Sequence, residues 1–221
     1  MKKFRPLLVI LLLAVLAVLL SLRDGGSPPQ PPRDLPWQIE VLADGSSRVF
    51  GLHLGRDRLG DALARIGRDA ELAVIAERGE PGSLELYYSR FTAGLFSGKL
   101  ILAAELPAET LAGLRERAAR VERLESGALK FHIRHEDRPL VLDAPLIGIT
   151  FIPTVNLDED IAERRFGIPA ETLSDDSGAR HLLYPDRGLD LIIHTKGKDV
   201  LQYVAPRDFE RLRGPLLEDG S

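Results

Sequence analysis

Apolar and polar positions alternate in short runs along most of this chain, and helical spacing takes over in a few stretches between them. The fullest set of signals lies in Asn156–Val204. A helix is predicted over Asn156–Phe166, with Asn156 as its cap and Glu159 three residues on, the spacing of a capping box. Gly167 supplies a left-handed stop and Pro169 prevents resumption. After a polar loop come three strand-like runs, Arg180–Tyr184, Gly188–His194 and Asp199–Val204, separated by turn residues at Pro185–Gly188 and Lys196–Lys198. The expectation is one helix laid on a three-stranded antiparallel meander.

Upstream, Trp37, Ile39 and Val41 alternate with Gln38 and Glu40 as a half-buried strand does. Asp44-Gly45 is a hairpin turn, and Ser47–Leu54 reads as one returning strand with a bulge or close approach at Gly51. Leu59, Ala62, Leu63 and Ile66 make the apolar stripe of a helix over Asp57–Ile66 that Gly67 ends. Strands are predicted at Leu72–Ala76, Leu84–Phe91 and Lys99–Leu106. Between the two patterned regions, Leu111, Leu114, Ala118, Val121 and Leu124 share one face of a connecting amphipathic helix over Ala108–Glu125, with Glu116 and Arg120 as an i,i+4 pair. Lys130–His135 and Leu140–Leu142 read as a hairpin, the nearly all-apolar Ile147–Ile152 as a buried central strand, and Asp208–Leu212 as a short final helix.

The two regions match each other in order. Ile66-Gly67 through Ala70-Glu71 corresponds to Phe166-Gly167 through Ala170-Glu171, Leu86-Tyr87 with Arg90 to Leu183-Tyr184 with Arg187, and Gly51-Leu52 to Gly148-Ile149. The matches lie about a hundred residues apart, on the same helix-then-strands plan. The expected fold is therefore α+β: an N-terminal transmembrane helix, then two related helix-plus-antiparallel-meander lobes, residues 37–106 and 128–205, joined by an amphipathic helix within 107–127 and followed by a tail, 206–221.

Composition adds an address. Lys2, Lys3 and Arg5 precede the uninterrupted apolar run Leu7–Leu20, so the flank is expected to stay cytoplasmic and the body to be exported. Small residues at cleavage spacing are poorly placed, which favours an uncleaved signal-anchor over residues 1–23, inserted in the inner membrane through residues 4–22 with the body in a bacterial periplasm; a cleaved signal peptide is the alternative. Residues 24–36, rich in Gly and Pro, form a linker. The absence of cysteine excludes disulfides, thiolate metal sites, cysteine nucleophiles and a lipid-bearing N-terminal cysteine. A net charge of −4 argues against a general nucleic-acid footprint.

The capped helix, the Phe166-Gly167-Ile168-Pro169 stop, the aromatic strand ending Leu183-Tyr184, Gly188-Leu189 and the closing strand Lys198–Val204 together resemble the BamE (SmpA/OmlA) outer-membrane assembly lipoprotein family, over residues 156–204 and loosely over 50–106. The chain departs from that family in having no lipid-bearing cysteine. The resemblance implies a scaffolding or binding role in the envelope.

No catalytic, cofactor or metal motif stands out. His132 and His135, with Glu136 and Asp137, are the nearest to a metal cluster, but residues three apart on a strand face opposite sides. His181 and His194 lie on neighbouring predicted strands and read as ordinary strand residues. Neither a nucleophile elbow nor a phosphate loop is present. The expected function is a non-catalytic protein-interaction module with an envelope protein as partner; a small-molecule or lipid-binding domain is the alternative, and a hydrolase a more distant one. Interfaces favour aromatic and arginine anchors, which places the partner surface at Arg164, Arg165, Tyr184, Arg187 and Tyr203.

Overall fold

The computed structural model describes residues 34–219. The apolar run, the expected signal-anchor and most of the expected linker lie outside them. No helix among the described residues is long and apolar enough to cross a membrane.

Among the described residues the fold is α+β, built on one ten-stranded antiparallel sheet with five α-helices and a small second sheet. In chain order, β1 (Glu40–Val41), β2 (Ser47–Val49) and β3 (Leu52–Leu54) form the small sheet. Helix α1 (Leu59–Ile66) leads into β4 (Glu71–Ala76), β5 (Ser83–Ala93) and β6 (Phe96–Ala104). Then come α2 (Ala108–Glu116), β7 (Arg120–Arg123), β8 (Leu129–His132), α3 (Arg138–Leu142) and β9 (Leu146–Pro153). The last part holds α4 (Glu159–Phe166), β10 (Glu171–Ser174), β11 (Arg180–Tyr184), β12 (Leu189–Ile193), β13 (Val200–Val204) and α5 (Glu210–Asp219). The large sheet runs β10-β11-β12-β13-β9-β6-β5-β4-β8-β7.

Alternation along the strands sends one side chain in two to each face. Leu72 and Val74, Leu84, Leu86 and Tyr88, Leu100 and Leu102, Phe151, Leu182, Leu191 and Tyr203 form a single core on the front face. That face is covered by the small sheet through Val49, Leu52 and Leu54, and by α1 through α4 through Leu59, Ala62, Leu111, Leu114, Val141, Ala162 and Phe166. On the back face α5 packs Leu212 and Leu216, with Phe209 just ahead of it, against Leu183, Val204 and Leu173.

The ladders of the two sides match. On one side Leu72, Leu86, Leu102 and Ile149 stand in one row across β4-β5-β6-β9. On the other Thr172, Leu182, Leu191 and Leu201 stand in one row across β10-β11-β12-β13. Where the sides meet, Thr150 pairs with Gln202, and Phe151 with Leu201 as Ile149 does with Tyr203. The strands therefore do not divide into separate sheets: β9 pairs with both β6 and β13, and is central as its apolar run predicted.

Each side begins with a helix stopped in the same way. Gly67 (φ 125°) and Gly167 (φ 82°) return their N–H groups to Leu63 and Glu163. Their own carbonyls accept hydrogen bonds from Tyr88 (2.9 Å) and Tyr184 (3.1 Å). The residue matching Tyr184 is thus Tyr88, one place on from the Tyr87 that the sequence comparison suggests. The Gly51–Gly148 match does not hold: Gly51 sits in a tight turn and Gly148 in the middle of β9.

Several elements differ from the sequence expectation. The predicted helix over Ala108–Glu125 ends at Glu116, and its second half is the edge strand β7, whose backbone pairs with β8. Pairing across the sheet overrides the helical spacing there, and Val121, expected on the buried stripe, is 52% exposed. Leu140–Leu142 belongs to α3 rather than to a hairpin, with Pro139 in its first turn. β8 joins β4 on the first side, so the proposed boundary near residue 128 does not coincide with a change of sheet. The polar loop after Gly167 contains a fourth strand, β10. The cap of α4 is Asp158, which accepts from Ile161 N–H at 2.6 Å, while Asn156 donates to the Gly197 carbonyl. Ser47–Leu54 is two strands, folded back at Phe50-Gly51.

Candidate functional site

The turn at Phe50-Gly51 leads to the site. Val49 pairs with Leu52, leaving a two-residue loop with φ of 53° at Phe50 and 70° at Gly51. Turns of this kind want Asn, Asp or Gly, because a side chain at positive φ clashes with its own backbone. Phenylalanine is held there by its ring, which is 3% exposed and meets Phe91, Phe151 and Tyr203 edge-on at centroid distances of 5.2, 5.5 and 5.6 Å. Gly51 suits the position beside it because of its left-handed φ, and the Arg65 guanidinium lies where a Cβ would project.

A cleft of about 480 Å³ opens at this turn, between the end of α1 and the far half of β5. Its lining includes Asp34, Phe50, Arg65, Arg68, Arg90 and Phe91. β5 and β6 slip register between Tyr88 and Phe91, and a bulge of this kind turns side chains away from the regular alternation. Asp34 (φ 60°) and Phe50 are the two non-glycine residues at positive φ among those described, and both line the cleft.

Its charge comes from three guanidinium groups and two carboxylates. Arg65 donates Nε–H to the Phe50 carbonyl at 3.3 Å and lies 3.9 Å from Asp34. Arg68 and Arg90 are exposed and have no hydrogen-bond or ion-pair partner among the described residues. The Tyr88 phenol is committed to Gly67, and burial pushes its pKa up to about 12, so it stays protonated and structural. The arrangement offers two unengaged planar forks beside an aromatic wall, which suits an anionic group.

Other polar clusters have different roles. Ser46 Oγ donates to Asp44 at 2.5 Å, so His53 Nε2–H must donate to Ser46 Oγ at 2.7 Å. That polarity is opposite to a base-activated serine, and it locks the first hairpin. The Ser46 hydrogen bonds also hold the Asp44 carboxyl below its ordinary range. His181 and Asp190 form a buried pair, Nδ1 to Oδ2 at 2.7 Å, with the second Asp190 oxygen left without a partner. The bond to Asp190 raises the His181 pKa, and burial outweighs the same bond at Asp190 and raises its carboxyl as well. Sequence reasoning passed over this pair because Asp190 is the diagonal neighbour of His181 on the adjacent strand, not its direct partner, which is Ile192. His132 contacts Glu122 at 3.2 Å and Arg120 at 2.9 Å, and His135 lies in a separate 3₁₀ turn. Among the described residues no three His, Asp or Glu side chains converge as a metal ion needs.

A second hollow, about 320 Å³, lies on the back face over β4, β5 and β6. Ala73, Ile75, Tyr87, Ile101 and Leu124 line it, with Glu71, Glu85 and Lys130 as its polar groups. Burial raises the Glu85 carboxyl against the opposing hydrogen bond from Ser83, while Lys130 lowers that of Glu71.

The predicted partner surface is corrected in part. Tyr184 and Tyr203 do fall in one row, on either side of Leu189, but that row is core, and they are 5% and 1% exposed. Tyr184 supports the α4 stop, and Tyr203 donates to the Pro36 carbonyl at 3.0 Å. Arg165 lies over the Trp37 ring at 4.5 Å. Arg164 is exposed on α4, and Arg187 is half-buried in the 3₁₀ turn after β11. Aromatic strand residues on the inward phase are core, a signal that the alternation itself carries. The cleft residues come from four separate stretches, and the one local cue was a phenylalanine where a turn wants asparagine. No protein-family model, curated protein or solved structure matches the chain.

Proposed function

We propose that this chain is a membrane-anchored, non-catalytic interaction module of the bacterial envelope, its body in the periplasm, with the Arg65–Arg68–Arg90 cleft as its contact surface for an anionic partner. The observation that carries the site is the convergence of both left-handed non-glycine residues and two unpartnered arginines on one cleft. Strained backbone is retained where the surroundings over-determine it, and such places cluster at binding sites. The basic flank and apolar run ahead of the body support the address, in line with the envelope role that the BamE-like pattern of residues 156–204 implies.

The two sides of the sheet are read as copies of one α-β-β-β-β unit. The matching ladder rows and the paired Tyr-to-Gly helix stops support duplication.

An in-cell photocrosslinker at Thr92, in the cleft, tests the assignment against one at Val121 on the far sheet edge. An adduct is expected at Thr92 alone. It should vanish on changing Arg68 and Arg90 to Glu and persist when Arg164 and Arg187 are changed instead. The reverse pattern would move the contact surface to the end of α4. A second reading, small-molecule binding, is favoured by the apolar hollow on the back face.

A further inference from the structure

We infer that the Arg65–Arg68–Arg90 cleft takes the phosphate of an anionic phospholipid headgroup, at the surface of the membrane that anchors the chain. This rests on the reading of the cleft as the contact surface and names its partner.

Three observations lead there. The first is chemical. Arg65 is already engaged with Phe50 and Asp34, whereas Arg68 and Arg90 keep all their donors free. Two guanidinium forks can grip phosphate oxygens in a bidentate manner, and the half-buried Phe91 and Ile66 form the apolar wall against which a glycerol backbone would lie. Against them stand Asp34, facing Arg65, and Asp69.

The second is the comparison between the two sides. Arg65 has its match in Arg165, on the last turn of α4, and both engage the segment that precedes α1. Arg68 does not: the corresponding position after Gly167 is Ile168, which is 86% exposed. β11 also ends at Tyr184, where β5 continues through its bulge to Arg90 and Phe91. The cleft is therefore a departure from the repeated plan, confined to one side. Departures from a consistent plan are where function is expected.

The third is position. Asp34, the first described residue, lines the cleft, and the linker and apolar run precede it in sequence. On the proposed reading of the apolar run as an anchor, the roughly ten residues of linker ahead of Asp34 could reach no more than about 35 Å at full extension. Headgroups would then be present at high effective concentration, and a modest intrinsic affinity would suffice.

The test uses the full chain in neutral detergent, titrated calorimetrically with dihexanoyl phosphatidylglycerol, dihexanoyl phosphatidylcholine, inorganic phosphate and a Glu-rich peptide. Binding is expected for phosphatidylglycerol, weakening with added salt. Phosphatidylcholine should show none, and inorganic phosphate should bind far more weakly. Each arginine near an anionic surface contributes about fivefold, so Arg68→Glu with Arg90→Glu should weaken binding about 25-fold or more. Circular dichroism and thermal midpoint should stay unchanged, because the two side chains are exposed. Equal binding of inorganic phosphate would overturn the lipid assignment in favour of a free anion. Binding of the peptide without the lipid would overturn it and leave the interaction module standing. Lipid binding unaltered in the double variant would place the headgroup elsewhere and overturn it outright. A cleft adduct in cells with no lipid titration separates failure of this inference from failure of the module reading.

Discussion

Phe50 gives a prediction whose sign differs from the ordinary one. At most positions glycine is less stable than alanine by roughly 0.5–1 kcal/mol, because it loses more conformational freedom on folding. Phe50 sits at φ 53° in a two-residue turn, with its ring buried against three aromatic rings. Removing the ring costs about 3–5 kcal/mol for either replacement. Phe50→Ala keeps a Cβ in the left-handed region and with it a strain of about 1–2 kcal/mol. Phe50→Gly loses the same ring and releases that strain. Setting the strain against the extra freedom of the unfolded glycine chain leaves Phe50→Gly ahead of Phe50→Ala by about 0.5–1 kcal/mol. Urea unfolding of the wild type and both variants, at constant m, reads the order directly. The expected ranking is wild type, then Phe50→Gly, then Phe50→Ala. Should the alanine variant equal or exceed the glycine variant, Phe50 does not occupy a left-handed turn, and the account of the cleft wall fails with it.

Three further outcomes follow from the geometry. Tyr88→Phe and Tyr184→Phe each remove one hydrogen bond from a helix-stop carbonyl, so each should cost about 1 kcal/mol and lower the thermal midpoint by about 2–4 °C. The two sites are far apart on the sheet, so the double variant should show the sum, and a marked shortfall in a melting scan would deny them their parallel roles. Gly188→Ala should destabilise by more than about 2 kcal/mol, since a Cβ there would lie 2.1 Å from the Val204 carbonyl at φ 65°; urea unfolding close to wild type would contradict the turn. The raised His181 pKa stabilises the fold fully below the unfolded value of 6.5 and loses that contribution as pH rises through the folded value. Denaturation midpoints should therefore fall as pH is raised above 6.5, and that part of the fall should disappear in His181→Gln.

The elements that were legible are those set by local chemistry. Gly67 and Gly167 mark both helix ends because only a residue without a Cβ takes those conformations freely. Ile147–Ile152 reads as central from its nearly unbroken apolar run, and β9 is paired on both edges and lies sixth from one end of the ten-stranded order. The elements that were missed depend on partners remote in sequence. Val121 and Leu124 fit a helical face as well as a strand, and only β8 decides between them. β10 has little apolar character, and its strand conformation comes from pairing with β11. The adjacent tyrosines at 87 and 88 hid a one-residue slip, which matters because successive residues face opposite sides of a sheet. Tyr88 points into the core and holds the α1 stop, whereas Tyr87 lines the back-face hollow.

The placement of the contact surface turned on the same distinction. Tyrosine and arginine anchor interfaces only when the tyrosine is free to meet a partner. In Tyr184 and Tyr203 the phenols are spoken for by Gly167 and Pro36, and the rings lie under α4 and the small sheet. An aromatic residue on the inward phase of a strand is set by the core first, as Tyr184 and Tyr203 are, each in register with Leu189. The arginines that remain unengaged are then the better guide. Arg68 and Arg90 are ordinary surface residues in the sequence, 22 positions apart by their numbering. They line one cleft because α1 stops at Gly67 and β5 bulges just past Tyr88, and the Tyr88–Gly67 hydrogen bond ties those two features together. The device that both sides share for ending a helix stands, on the first side alone, beside the proposed cleft. On the proposed reading of the two sides as copies, the second would keep the support while the first diverges into a site.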